Sequence, residues 1–349
     1  MAEGMDFDAL KMAAEAGEAK AQFELGKKFN NGDGVTQDNA EAVKWYRKAA
    51  EQGHVDSQFN LALIYSEGEG VAKNCVEAAK WWRKAAEQGD VEAQFELGVL
   101  LEDGEDGVQQ DYGEALKWYH KAAEQGNAEA QFNLGLMYYH GNGAVKDHVE
   151  ATKWFHKAAR QGHAAAQFEL GRISQYQDNY PEAMSWYRKA AENGHESAQY
   201  MLAFLIDNMG GTIEARKEAV IWYEKAGRNG DVDAFYRLGE IYSEGELVEQ
   251  NNKVSEIYIQ GAVDLYRKKA EQGDQNAQFK WGLMLANGKC VERNATEAAK
   301  WFLKAAEQGQ AEAMFNLSIM YSDGRGVPRD LTKATEWRRK AVENGFELP

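Results

Sequence analysis

Residues 21–54 read AQFELGKKFNNGDGVTQDNAEAVKWYRKAAEQGH, and this phrase decides the fold because it returns along the whole chain. Trp45 is its anchor. Trp81, Trp118, Trp154, Trp186, Trp222, Trp301 and Trp337 hold the same place in later copies, at spacings of 36, 37, 36, 32, 36, 79 and 36 residues. Such regular spacing marks one supersecondary unit copied in tandem. Nine copies begin at Ala21, Ser57, Ala93, Ala130, Ala166, Ala198, Ala234, Ala277 and Ala313. A half-copy, MDFDALKMAAEAG, precedes them and ends at Gly17.

Each copy encodes two helices. Ala21, Leu25, Gly26 and Phe29 fall at i, i+4, i+5 and i+8, one face of a first helix. The Gly26 position is small in all nine copies. A mid-helix glycine costs about 1 kcal/mol, so its repetition predicts that another backbone passes close by. The second helix opens on a capping pair: Asp38 with Glu41, Asn74 with Glu77, Asp111 with Glu114, Asp147 with Glu150, Asn294 with Glu297. The Asp or Asn accepts an orphan N–H, and the Glu three residues on is expected to reach back. Ala42, Trp45, Ala49 and Ala50 form the apolar face, and Gly53 and its equivalents stop the helix. Between the helices GDGV, GEGV, GNGA or GRGV predicts a turn with positive φ.

The pattern A-x-x-x-L-G-x-x-Y, then G-x-G, D-x-x-x-A-x-x-W and A-A-x-x-G, as in Ala130–Gly162, resembles the Sel1-like repeat, a relative of the tetratricopeptide repeat. The resemblance covers Ala21 to Gly345 and implies an all-α, right-handed α/α superhelical solenoid. It has about nine hairpin repeats (21–349) and an N-terminal capping helix (1–20). Members of that family are adaptors and scaffolds, and the sequence style resembles bacterial ones. A cysteine-rich subfamily linked to β-lactam binding carries a Cys pair in each repeat. This chain does not, and it has no S-x-x-K or K-T-G.

The net charge of −16 argues against nucleic acid and reads either as a solubility device or as a preference for basic partners. No apolar run approaches the roughly 18 residues of a membrane span. No secretory signal is visible, so a cytoplasmic location is expected, or a periplasmic or secreted one if a signal was removed. A monomer is expected. The two cysteines, Cys75 and Cys290, fall six repeats apart and are expected as free loop thiols. His54, His163 and His195 share a capping register, His120 and His156 sit at surface positions, and His140 and His148 flank one turn. No Walker loop, dinucleotide fingerprint or Ca²⁺ loop is present, EDGEDG at 102–107 included. No catalytic set, metal or cofactor is expected.

In hairpin solenoids the first helices line the concave face. Position +2 from the leading Ala is always aromatic, from Phe23 to Phe315, as packing or as a groove floor. Position +3 varies: Glu24, Asn60, Glu96, Asn133, Glu169, Met201, Arg237, Lys280, Asn316. It reads either as a solvated face or as a groove with an acidic first half and a basic later patch. Position +6 carries Leu63, Val99, Leu136 and Phe204, a contact surface if exposed and core if buried.

Copies five to seven, residues 176–270, are irregular and predict a change of superhelical curvature. Copy five shortens its turn before Tyr180-Pro181. Copy six carries Met209-Gly210-Gly211, and copy seven gains seven residues with Leu265 in place of the tryptophan. The expected function is a non-enzymatic scaffold or adaptor for a protein or peptide. A dedicated inhibitor (immunity protein) of one bacterial effector and a host-interaction virulence factor are the alternatives.

Overall fold

The computed structural model describes residues 6–209, 211–288 and 290–347. Residues 1–5 of the expected cap, Gly210 of the copy-six turn and the last two residues of the expected solenoid lie outside them. Among the described residues there are nineteen α-helices and no strand. They form two compact units that divide between Gly194 and His195.

The first unit opens with α1 (Phe7–Glu15). Five hairpins follow: α2 (Ala19–Asn31) with α3 (Asn39–Glu51), α4 (Val55–Glu67) with α5 (Cys75–Glu87), α6 (Val91–Asp103) with α7 (Tyr112–Glu124), α8 (Ala128–His140) with α9 (His148–Arg160), and α10 (Ala164–Tyr176) with α11 (Tyr180–Glu192). The second unit holds four: α12 (Glu196–Met209) with α13 (Ile213–Arg228), α14 (Val232–Glu244) with α15 (Asn252–Glu271), α16 (Gln275–Asn287) with α17 (Ala295–Glu307), and α18 (Ala311–Asp323) with α19 (Leu331–Glu343). This is the all-α hairpin solenoid that the repeat predicts. Leu10 and Ala14 of α1 pack with Ala21, Leu25 and Trp45, so the half-copy covers the first repeat.

In five of the first helices the mid-helix glycine faces an aromatic ring and not a passing backbone. A Cβ on Gly26 would stand 2.8 Å from the Tyr46 ring, one on Gly98 2.7 Å from Tyr119, and one on Gly135 2.6 Å from Phe155. Close backbone approach occurs instead at the second glycine of the turn. A Cβ on Gly143 would lie 2.2 Å from the Tyr112 carbonyl oxygen of the preceding repeat. The N-caps form as predicted, with Asp38 accepting from the Glu41 N–H at 2.9 Å. The reciprocal half of the capping box does not form. The Asp38 N–H donates to the Phe29 carbonyl at 2.8 Å, across the hairpin. Glu41 is thereby left to pair with Lys44.

A buried glutamine ties neighbouring repeats together. Gln131 of α8 donates through Nε2 to the Ala123 carbonyl of α7 at 3.0 Å. Its Oε1 accepts from Gln161 at the end of α9 at 2.9 Å, and Gln161 also donates to the Gly126 carbonyl at 2.9 Å. Gln22, Gln58, Gln94, Gln167 and Gln278 repeat the contact to the preceding helix. Copies seven and nine replace this glutamine with Phe235 and Met314.

A lysine three residues after the tryptophan lies over its indole, from Lys157 on Trp154 at 3.5 Å to Lys340 on Trp337 at 4.3 Å. The ammonium is attracted to the negative face of the ring while its stem covers apolar surface. Second-helix cations are thereby held on the second-helix side.

In copy seven the seven extra residues are all helical, so α15 runs 20 residues where α13 runs 16 and the other second helices run 13. Two added turns keep the buried face. Ile259, seven residues before Tyr266, meets Gly239 where other copies place the ring. In copy six Thr212 supplies the N-cap that the missing Asp or Asn would have given.

Gln131→Glu removes the donor to Ala123 and buries a charge, whereas Gln131→Met removes the polar group and keeps the volume. We predict a loss of about 3 kcal/mol or more for the first and about 1–2 kcal/mol for the second, read as urea midpoints.

Candidate binding surface

Helix geometry sorts the side chains of each first helix. Positions 0, +1, +4 and +5 are buried, as in Ala93, Gln94, Leu97 and Gly98. The opposite stripe is left partly open. On the first unit it carries Glu24, Asn60, Leu63, Glu96, Val99, Asn133, Leu136 and Glu169, all half-buried. On the second it carries Phe204 and Lys280, which are exposed, and Arg237 and Asn316, which are half-buried.

Position +2 is packing. Phe23 lies 5.8 Å from the Tyr46 ring of its own hairpin and stacks at 4.8 Å on His54, the N-cap of the next first helix. Phe132 repeats this with Phe155 and His163. His54, His163 and His195 are N-caps, accepting through Nδ1 from Ser57, Ala166 and Ala198. His120 and His156 are less exposed than their register predicts, because each ring meets the edge of the next tryptophan, Trp154 and Trp186. Burial lowers the His156 pKa. His140 and His148 both approach the Tyr139 ring.

The charges at +3 differ in how they are matched. Glu169 pairs with Arg172 at 3.1 Å. Lys280 lies 3.5 Å from Asp233. Arg237 donates to Asp207 at 2.8 Å and reaches Glu240 and Glu244. Asp207 is buried, and Arg216 holds its other oxygen at 3.0 Å. The expected basic patch is therefore largely neutralised from within. Asp207 carried no signal in the sequence, because the acid-rich helix ends hide one buried aspartate among many exposed ones.

Glu96 is different. Among the described residues no cation pairs with it. Burial raises its pKa, and the nearby Glu92 and Glu67 add to the shift. Asn60 turns its amide toward the Asp56 carbonyl at 2.7 Å, and Asn316 does the same with Glu312.

Two other clusters are already engaged. Cys75 is not a loop thiol. It is the first residue of α5, buried, with its pKa raised chiefly by burial. Its sulfur and the carboxylates of Glu105 and Asp106 could offer ligand atoms within 4.8 Å of one another, but the Lys73 ammonium already sits 2.8 Å from Asp106. A shallow depression of about 600 Å³ on the second-helix side is lined by Val76, Lys80, Trp81 and Lys84. There Lys80 pairs with Glu77, Lys84 lies over Trp81, and Arg83 pairs with Glu114. No helix among the described residues is long and apolar enough to cross a membrane.

The Sel1 repeat model matches nine consecutive segments: 19–54, 55–90, 91–127, 128–163, 164–195, 196–231, 232–274, 275–310 and 311–346. The chain belongs to the Sel1 repeat family. Each Sel1 segment begins at the start of a first helix, as at Ala19, Val55 and Val91. Among solved structures the chain is similar to a protective antigen present in uropathogenic Escherichia coli strains, at 30% identity and a TM-score of 0.54. The match covers 98% of this chain and 90% of that one. A Sel1 repeat protein from Oxalobacter formigenes is 29% identical, with 98% and 88% covered and a TM-score of 0.45. An immunity protein from Pseudomonas aeruginosa is 21% identical, with 71% and 81% covered and a TM-score of 0.35, a likeness of fold alone. No curated protein matches the chain.

Because Glu96 holds its proton more tightly when folded, its ionised form opposes folding above the ordinary carboxylate range. Glu96→Gln should therefore raise the unfolding midpoint at about pH 7. The difference should shrink toward about pH 3, where Glu96 is protonated in both states. Paired melts at the two pH values check it.

Proposed function

We propose that this chain is a non-enzymatic scaffold or adaptor that binds a protein or peptide partner along the first-helix surface of its Sel1 repeats. The observation that carries the reading is a contrast within each repeat. The buried framework barely changes from copy to copy, while the half-exposed positions +3 and +6 change in charge and polarity. Asn60, Leu63, Glu96, Val99, Asn133 and Leu136 are the contact residues on the first unit, with Glu24 and Glu169 at its margins. On the second unit Phe204, Arg237, Lys280 and Asn316 take that role. An array of repeats offers its partner an extended surface and no enclosed cleft.

A host-interaction role is the second reading. It is favoured by the 30% identity, over nearly the whole chain, to a protein described as a protective antigen of uropathogenic Escherichia coli.

Photo-crosslinking amino acids placed at Asn60 and Asn133, and separately at Lys80 and Glu124 on second helices, would test the main reading in the cells that make the protein. Discrete adducts are expected from the first pair and none from the second. The reverse pattern would overturn the first-helix assignment.

A further inference from the structure

The first-helix surface of copies two to four is built from one sign of charge around an apolar line. α4, α6 and α8 carry seven carboxylates, two on α4, four on α6 and one on α8, and no lysine or arginine. Their partner helices α5, α7 and α9 carry eight lysines and arginines. Those cations stay on the second-helix side. Lys84, Lys121 and Lys157 lie over tryptophans, and Lys80, Arg83 and Lys153 pair with Glu77, Glu114 and Glu150. Charge is thus segregated between the two faces of the same repeats.

Leu63, Val99 and Leu136 occupy equivalent places on the three helices, half-buried and open on their outer side. Beside them stand Asp56, Glu67, Glu96 and Asp103, and among the described residues none of these four has a cation partner. Glu96 is held against its own burial and against Glu67 and Glu92. A surface arranged this way is incomplete in electrostatic terms. An apolar strip wants an apolar face laid on it, the half-buried Glu96 wants a fixed cation, and the exposed Asp56, Glu67 and Asp103 add to the field that attracts one.

Resting on the first-helix reading above, we propose that the surface of copies two to four docks a basic amphipathic segment of a partner protein. Its apolar side chains lie over Leu63, Val99 and Leu136. Its lysines or arginines reach Asp56, Glu67, Glu96 and Asp103. The same array of carboxylates repels phosphate, so a nucleic acid or an anionic membrane is refused. An acidic partner of equal hydrophobicity is refused as well. Arginine suits the Glu96 site best, since its guanidinium is weakly hydrated and can bond a carboxylate through two N–H groups.

The test uses the full chain and three labelled synthetic peptides: an amphipathic lysine–leucine peptide, its glutamate–leucine counterpart, and a lysine-only peptide of the same charge. Fluorescence anisotropy reads the affinities. Saturable binding is expected for lysine–leucine alone, weakened about tenfold or more by Glu67→Lys combined with Glu96→Lys. Glu51→Lys with Glu87→Lys, on second helices, should leave it within about twofold. Glu67 is exposed, so Glu67→Lys alone gives a folded variant that should weaken binding in the same direction. Equal binding of the lysine-only peptide, or equal loss from the second-helix pair, would overturn the proposal, since attraction to net negative charge would then suffice. Binding of the glutamate–leucine peptide that responds to Val99→Thr would keep the first-helix reading and sink the basic partner. If no peptide responds to any first-helix substitution while second-helix changes abolish binding, both readings fall.

Discussion

The stack depends on a buried carboxamide. Gln131 and its equivalents lie next to the fully buried alanines, where an unpaired polar group would cost about 1–3 kcal/mol. The pairing that removes this penalty requires three helices at once. The donor needs a carbonyl at the end of the preceding second helix, and the acceptor needs the amide that closes the repeat's own second helix. One side chain therefore fixes the spacing within a repeat and the step to the previous one. Hydrophobic faces alone would permit sliding, because alanine surfaces are smooth. A hydrogen bond with fixed length and direction does not. Phe235 and Met314 show the other solution, in which the polar group is removed and volume is kept.

A framework locked in this way leaves the outer stripe of the first helices free to vary. It also determines where charge can go. The lysine three residues after each repeat tryptophan is drawn onto the indole, and in copies one, two, four and eight the glutamate that opens the second helix is released by the backbone bond across the hairpin to meet another lysine. Both devices keep cations on the second helices. The acidity of the chain is therefore unevenly spread, and in copies two to four the first helices are purely anionic.

Much of this was legible in the sequence. The tryptophan spacing gave the repeat. The Asp and Asn caps and the terminal glycines gave the helix limits. The seven-residue insertion at 252–271 was readable as two helical turns. What escaped were features that depend on a neighbour. The AQ and QG pairs recur in plain sight, but nothing local says that Gln94 and Gln125 meet through 2.9 Å from different helices. The small residue at Gly26 was visible, whereas the object it makes room for, the Tyr46 ring, lies twenty residues on. The charge of Arg237 was readable, but its loss to a buried Asp207 thirty residues away was not. At the candidate surface the residue types were legible and the state of pairing was not. Glu96 and Glu169 look alike in sequence, yet Arg172 matches only the second.

The most direct test of the glutamine lock is hydrogen exchange of the side-chain carboxamides, followed by ¹⁵N NMR on the folded chain. The Nε2 protons of Gln58, Gln94, Gln131 and Gln167 should exchange many-fold more slowly than those of an exposed glutamine such as Gln109. They should also become fast together when a neighbouring repeat is unfolded. Carboxamides that exchange at the rate of free glutamine in the native protein would contradict the account.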